Sequence, residues 1–198
     1  MILDTEPCRP FDETRAGLNL GEGAAFLVLE SQKVMNERNV KPLCRLSGFG
    51  NACDAYHQTA SSPDGQGAFL AMSAAVAMSG IKPSEVNYIN AHGTGTPNND
   101  ESEGQAIVRV FGTKPPHVSS TKSLTGHTTS AAGGVEAVIS ILAIQNNFVP
   151  ANVNFVKQME TLPFTPVLKV LKDVEINHVL SNSFGFGGNN TSLLFSKK

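Results

Sequence analysis

Two histidines sit in loops rich in glycine and threonine. One lies in Asn90-Ala91-His92-Gly93-Thr94-Gly95-Thr96, the other in Lys122-Ser123-Leu124-Thr125-Gly126-His127. Each loop follows a short β-like run and precedes a helix-like run. A histidine at a strand end stands on a rigid scaffold while its ring can face a ligand. Two neutral imidazoles aimed at one point would offer paired hydrogen-bond donors to a developing oxyanion, or a pair of groups for moving protons. A single histidine is more often structural than catalytic. Here the glycines allow close backbone approach to a ligand, and the Thr94 and Thr96 hydroxyls could hold an amide-bearing arm. His127 reads as a residue at a helix start, a setting that disfavours imidazolium. Phe184 lies among glycines in Phe184-Gly185-Phe186-Gly187-Gly188. A ring beside pliable backbone can swing as a gate, although a core aromatic at a tight turn fits the composition equally. The same run does not read as a phosphate loop, because the residues after it are β-like rather than helical.

The elements that must carry these loops are read from hydrophobic pattern and punctuation. Ala24–Glu30 reads as a buried strand, and Ser31 as the cap of a helix over 32–38. Leu43–Asn51 reads as a strand with a bulge or bend at Gly48 and Gly50. Residues 51–64 are a polar loop. Gly67–Ser79 is a buried helix closed by Gly80. Val86–Ala91 feeds the first histidine loop. Glu101–Phe111 is a helix with Asp100 as its cap and Gly112 as its end. His117–Ser120 feeds the second histidine loop, and Ser130–Gln145 is a helix rich in small residues. Residues 149–168 are irregular, Val167–Val170 is a short strand, and strands at His178–Asn182 and Thr191–Phe195 flank the Phe184 loop. Such alternation gives an α/β fold, a mixed five-stranded sheet with helices on both faces, and ligands gather at strand ends in these folds.

The chain of 198 residues can bury a proper core as one domain. Its 15 basic and 17 acidic residues nearly cancel, which argues against a nucleic-acid partner. No apolar run approaches the ~20 residues of a membrane span. The start, Met1 to Pro7, lacks the basic region of a signal peptide and reads as a mid-chain loop. Cys8, Cys44 and Cys53 form no CxxC pair and are odd in number, which fits a reducing cytoplasm. His57, His117 and His178 show no metal-ligand spacing and read as structural or surface residues.

Four ordered runs together resemble the β-ketoacyl synthases, the condensing enzymes of fatty acid and polyketide synthesis. These are Arg9-Pro10-Phe11-Asp12 through Gly21-Glu22-Gly23-Ala24; His92 to Thr96 with Asp100; Lys122 with Gly126-His127; and Asn182-Ser183-Phe184 through Asn190. The resemblance covers essentially the whole chain and implies a thiolase-like half. Residues 1–198 would be the C-terminal domain, with residues 1–30 a short piece of the preceding segment. It implies decarboxylative condensation of an acyl group, held on a cysteine, with malonyl on an acyl carrier protein. No free cofactor is implied, since the carrier's phosphopantetheine bears the substrate. His92 and His127 would steady the enolate. Lys122 would be a buried organising lysine, with Asp100, Glu103 and Glu136 as candidate partners. Glu136 stands out because its helix neighbours are apolar. Thr94 and Thr96 would bind the pantetheine arm, and Phe184 would gate the acyl pocket.

None of the three cysteines has the Ala-Cys-Ser-type setting of the family nucleophile. That group is expected in an N-terminal half upstream, and the fragment alone is expected to be inactive. The implied partners are the acyl carrier protein, the chain's own N-terminal half and a second copy in a homodimer. A chain-length-factor-like partner subunit is the rival reading, and a thiolase a more distant one. Ala16, Leu18 and Ser130 depart from the common family pattern, the first two near the acyl pocket.

Overall fold

The computed structural model describes residues 2–198; Met1, the first residue of the stretch read as a mid-chain loop, lies outside the described residues. Helix α1 (Gln32–Arg38) begins where Ser31 accepts a hydrogen bond from Val34 N, as expected of that cap. Strand β1 (Arg45–Cys53) carries a register shift between Leu46 and Gly48, the anticipated bulge. Helix α2 (Gln66–Ser79) ends on a left-handed Gly80. There follow β2 (Tyr88–Asn90), α3 (Pro97–Phe111), β3 (His117–Ser119), a single helical turn α4 (Lys122–Thr125) and α5 (Ala132–Asn146). The chain closes with a two-stranded ribbon, β4 (Phe148–Val149) with β5 (Leu171–Lys172), and a hairpin, β6 (His178–Gly185) and β7 (Asn189–Ser196).

The main sheet has five strands in the order β1-β7-β6-β2-β3, with β2 parallel to β3 and β6, and β7 antiparallel to β1 and β6. Side chains alternate between its faces. Ile89, Leu180 and Leu194 pack with Met72 and Val76 of α2 and Ile107 of α3. Tyr88, Val179 and Phe195 pack with Ala137 and Ile144 of α5. Both faces therefore carry helices, as the alternation of the sequence implied. The topology also fixes where a ligand can enter. Helix α3 leaves β2 on one face and α5 leaves β3 on the other, because successive parallel crossovers are right-handed and run in opposite directions along the sheet. The loops after these two adjacent strands diverge and leave a crevice at their carboxyl ends.

Several expected boundaries move. Residues 24–30 form no strand. They run unpaired, with Phe26 93% and Val28 87% exposed, since no described strand lies beside them to complete a ladder. Asp100 does not cap α3: Pro97 occupies the first helical position, so Thr96 is the capping residue and Asp100 sits inside the first turn. The expected strand at Val167–Val170 is displaced to Leu171–Lys172. The long helix starts at Ala132 rather than Ser130, after a 3₁₀ turn at Thr129–Ala131, so His127 is not at a helix start. Phe184 belongs to β6 and pairs with Asn190, and only residues 186–188 make the glycine turn.

Candidate active site

His92 follows β2, His127 follows the helical turn α4 beyond the adjacent β3, and the rings meet edge to face, with centroids 5.2 Å apart at 86°. Their surroundings fix the same tautomer in two ways. Lys122, on the first residue of α4, is buried, and its Nζ donates to His92 O (2.6 Å) and to His92 Nδ1 (3.2 Å). At His127, Nδ1 accepts from Thr129 N at 3.1 Å. With both Nδ1 atoms serving as acceptors, each neutral ring carries its proton on Nε2 and offers it as a donor. Burial, then the Lys122 charge, then His127 hold His92 well below the ordinary imidazole range. Burial and Lys122 lower His127 to about 4. Loss of bulk water and the nearby ammonium, rather than a helix N-terminus, keep His127 neutral.

The three acids proposed for Lys122 take separate tasks. Only Glu136 pairs with it, through Oε1 in a short, buried contact. Burial pushes the Glu136 carboxyl up to about 7 against the pull of Lys122. Glu103 instead accepts from His92 N (2.9 Å), Gly93 N (2.8 Å) and Asn182 Nδ2 (3.0 Å), holding the turn that starts the first loop. Asp100 accepts from Phe11 N (2.8 Å) and Gly95 N (3.1 Å). Burial raises both carboxyls, with these hydrogen bonds pulling the other way. The family resemblance offered all three acids to the lysine; the inward faces of α3 and α5 decide which one reaches it.

The Gly-Thr-Gly-Thr loop depends on two glycines of positive φ. A Cβ at Gly93 (φ +39°) would lie 2.5 Å from Ser120 Cβ, and one at Gly95 (φ +77°) 2.8 Å from Cys8 Sγ. Thr94 and Thr96 present hydroxyls 2.9 Å apart. The Phe184 ring lies 5.7 Å from that of His92 and is nine-tenths buried in the core. All nine residues singled out from the sequence therefore gather around the two histidine loops.

Four others were missed. Asp12 is fully buried and accepts from Thr14 N, Thr14 Oγ1, Val156 N and Lys157 N. Burial opposes its ionisation, but those hydrogen bonds prevail and hold the carboxyl low. Asn152 ties Ser120 N to Pro10 O. Asn182 orients Glu103. Cys8 donates to Thr94 O at 3.2 Å. The motifs containing Asp12 and Asn182 were visible in the sequence, but nothing in local spacing showed what they would touch. Cavity shape does not locate the site. A cavity of about 480 Å³, lined by Pro83, Phe111, Pro115 and Pro116 among others, opens at the opposite end of β2 and brings no acid–base pair together.

Two histidine rings over the carboxyl ends of parallel strands, backed by a lysine–glutamate pair, make an arrangement that can stabilise an oxyanion. Residues 43–156 match the family described as beta-ketoacyl synthase, C-terminal domain, and the chain belongs to that family. It is 43% identical over 192 residues to 3-oxoacyl-[acyl-carrier-protein] synthase 2 of Staphylococcus aureus (strain COL), covering 96% of this chain and 46% of that protein. Among solved structures, the ishigamide ketosynthase/chain length factor superposes with a TM-score of 0.94 at 35% identity, covering 100% of this chain and 48% of that one. A beta-ketoacyl synthase from Burkholderia phymatum gives 0.90 at 36% identity, covering 96% of this chain and 46% of the other. The fold is a thiolase-like half, and the chain spans about half the length of these relatives.

Proposed function

We propose that this chain is the C-terminal half of an elongating 3-oxoacyl-acyl-carrier-protein synthase of fatty acid or polyketide synthesis. The observation that carries the proposal is the convergence of His92 and His127 with both Nδ1 atoms occupied, which leaves two Nε2–H donors for one oxygen. In the reaction, the malonyl thioester loses CO2. The electron pair of the broken carbon–carbon bond moves toward the thioester oxygen, where the two imidazoles bear the enolate charge. The carbanion then attacks an acyl-cysteine, the cysteine leaves as thiolate, and a 3-oxoacyl thioester two carbons longer remains. Lys122, paired with Glu136, fixes the His92 tautomer without exchanging a proton with substrate. Thr94 and Thr96 hold the pantetheine arm of the carrier, no free cofactor takes part, and Phe184 gates the acyl pocket.

The nucleophile comes from an N-terminal half. Burial and Asp100, against weaker opposing contacts, push the Cys8 thiol up to about 12, which suits a packing group and not an attacking thiolate. The exposed, apolar residues 24–29 support the same reading, since such a segment calls for a covering partner. Residues 1–30 would be a piece of the segment preceding the domain, and the joined protein would form a homodimer in the cytoplasm. No described helix is long and apolar enough to cross a membrane. The test is carbon–carbon bond formation from acyl and malonyl thioesters. The 198-residue chain alone should give none, whereas the protein joined to its upstream half should turn over. Robust condensation by the chain alone would overturn the missing-nucleophile argument. An inactive joined protein without cysteine at the upstream elbow would favour a chain-length-determining partner.

A further inference from the structure

The two histidine loops lie on different strands, yet one short segment ties them together. At its centre is Asn19. Its backbone carbonyl accepts from His127 N at 2.7 Å, and Gly21 N donates to His127 O at 3.1 Å, so both backbone polar groups of His127 are taken by residues 19–21. The side chain of Asn19 faces the other way. Its Oδ1 accepts from Cys8 N at 2.6 Å, and its Nδ2 donates to Asp4 O and Glu6 O, each at 3.0 Å. Cys8 in turn donates through Sγ to Thr94 O and fills the space beside Gly95 that a Cβ would need. A continuous polar path thus runs from the backbone of His127 through Asn19 and Cys8 to the backbone of Thr94, two residues beyond His92.

We propose that Asn19 is a positioning residue that sets the His127 loop in register with the Gly-Thr-Gly-Thr loop, with Cys8 as the intermediate contact. Every acceptor on this path is a carbonyl or amide oxygen and every donor an amide or thiol, so the link carries no charge and its geometry is independent of pH across the working range of the histidines. Asn19 is only half-buried and touches neither ring, so it would act through the backbone it holds. The inference rests on the function proposed above only for the roles of the two histidines; the link itself is geometric.

The test uses the 198-residue chain labelled with ¹⁵N, comparing wild type with Asn19→Ala, Asn19→Asp and Cys8→Ser by amide spectra and side-chain histidine titration. Asn19→Ala deletes the acceptor for Cys8 N and both Nδ2 donors. It is expected to shift amides in both loops, at Gly95 and Thr96 as well as at His127 and Thr129, and to move the His127 midpoint from about 4 toward the ordinary histidine range. His178, at the opposite end of the sheet and bonded to Ser196, serves as the internal control and should not move. Cys8→Ser retains a donor toward Thr94 O and should leave the His127 midpoint at its wild-type value. If Asn19→Ala does not fold, Asn19→Asp, which keeps an acceptor for Cys8 N, carries the test: it should shift the Asp4–Cys8 amides while both histidine loops keep their positions. Changes confined to the His127 loop in Asn19→Ala, or histidine loops displaced by Cys8→Ser, would overturn the inference. Wild-type histidines in the wrong tautomer would instead overturn the proposed function.

Discussion

His92 and His127 face the same point, yet they are held by opposite means. His92 is sealed in the core, and its Nδ1 is fixed by a buried ammonium that needs Glu136 for company. His127 is half-buried, and its Nδ1 is fixed by one backbone N–H, that of Thr129, a β-branched residue at φ +49°. One tautomer is fixed by a charge inside the protein and the other by a backbone N–H at its rim. The pairing shows how a site can present two equivalent donors when burial and the ammonium keep both rings neutral but the ammonium fixes the tautomer of only one.

The largest effect should follow from removing the charge. Lys122→Ala leaves Glu136 buried without a partner and should cost about 3–5 kcal/mol in chemical denaturation. In the protein joined to its upstream half it should also remove the proposed condensation. His127, with its own donor, should keep its Nε2–H tautomer in that variant; loss of the tautomer at both rings would erase the distinction between the two devices.

A smaller effect concerns pH. Both folded histidines have depressed pKa values, so the unfolded chain binds more protons below the ordinary value of 6.5. Stability conferred by the neutral rings is complete above that value and declines as pH falls, for His127 between 6.5 and about 4. Denaturation midpoints measured across this range should fall with pH, and His127→Gln should flatten part of the slope. An unchanged slope would show that His127 is not held neutral by its surroundings.

The smallest effect should come from Thr129→Gly. Glycine keeps the N–H donor and removes the left-handed strain of a β-branched residue, while adding disorder to the unfolded chain. The net change should be a gain of at most ~1 kcal/mol, with the His127 tautomer unchanged. A destabilised variant would mean that the Thr129 side chain, and not only its N–H, supports the ring.

Much of this was legible in the sequence where the physics is local. Period and punctuation located α1, α2, α3 and the strands beneath both histidines, because apolar patterning and glycine stops act over a few residues. The apolar run at 24–30 misled for a physical reason: hydrophobicity reports that a segment wants burial, and strand structure needs a neighbour to pair with. Asp100 misled because Pro97 starts the helix four residues sooner than expected. Choosing Glu136 over Asp100 and Glu103 needed the crossover handedness that puts α5 beside Lys122. The work of Asp12, Asn19 and Cys8 was out of reach, since each acts across a contact with residues 86 to 145 positions away, or through one that is. No window of sequence contains such pairs.

The proposed chemistry requires both imidazoles to be neutral and to carry their proton on Nε2. Long-range ¹H–¹⁵N spectra of the histidine side chains at neutral pH measure this directly. His92 and His127 should both give the Nε2–H pattern, with His127 gaining its second proton only near pH 4. A ring found as the Nδ1–H tautomer, or already imidazolium at pH 7, would leave the crevice without its pair of donors.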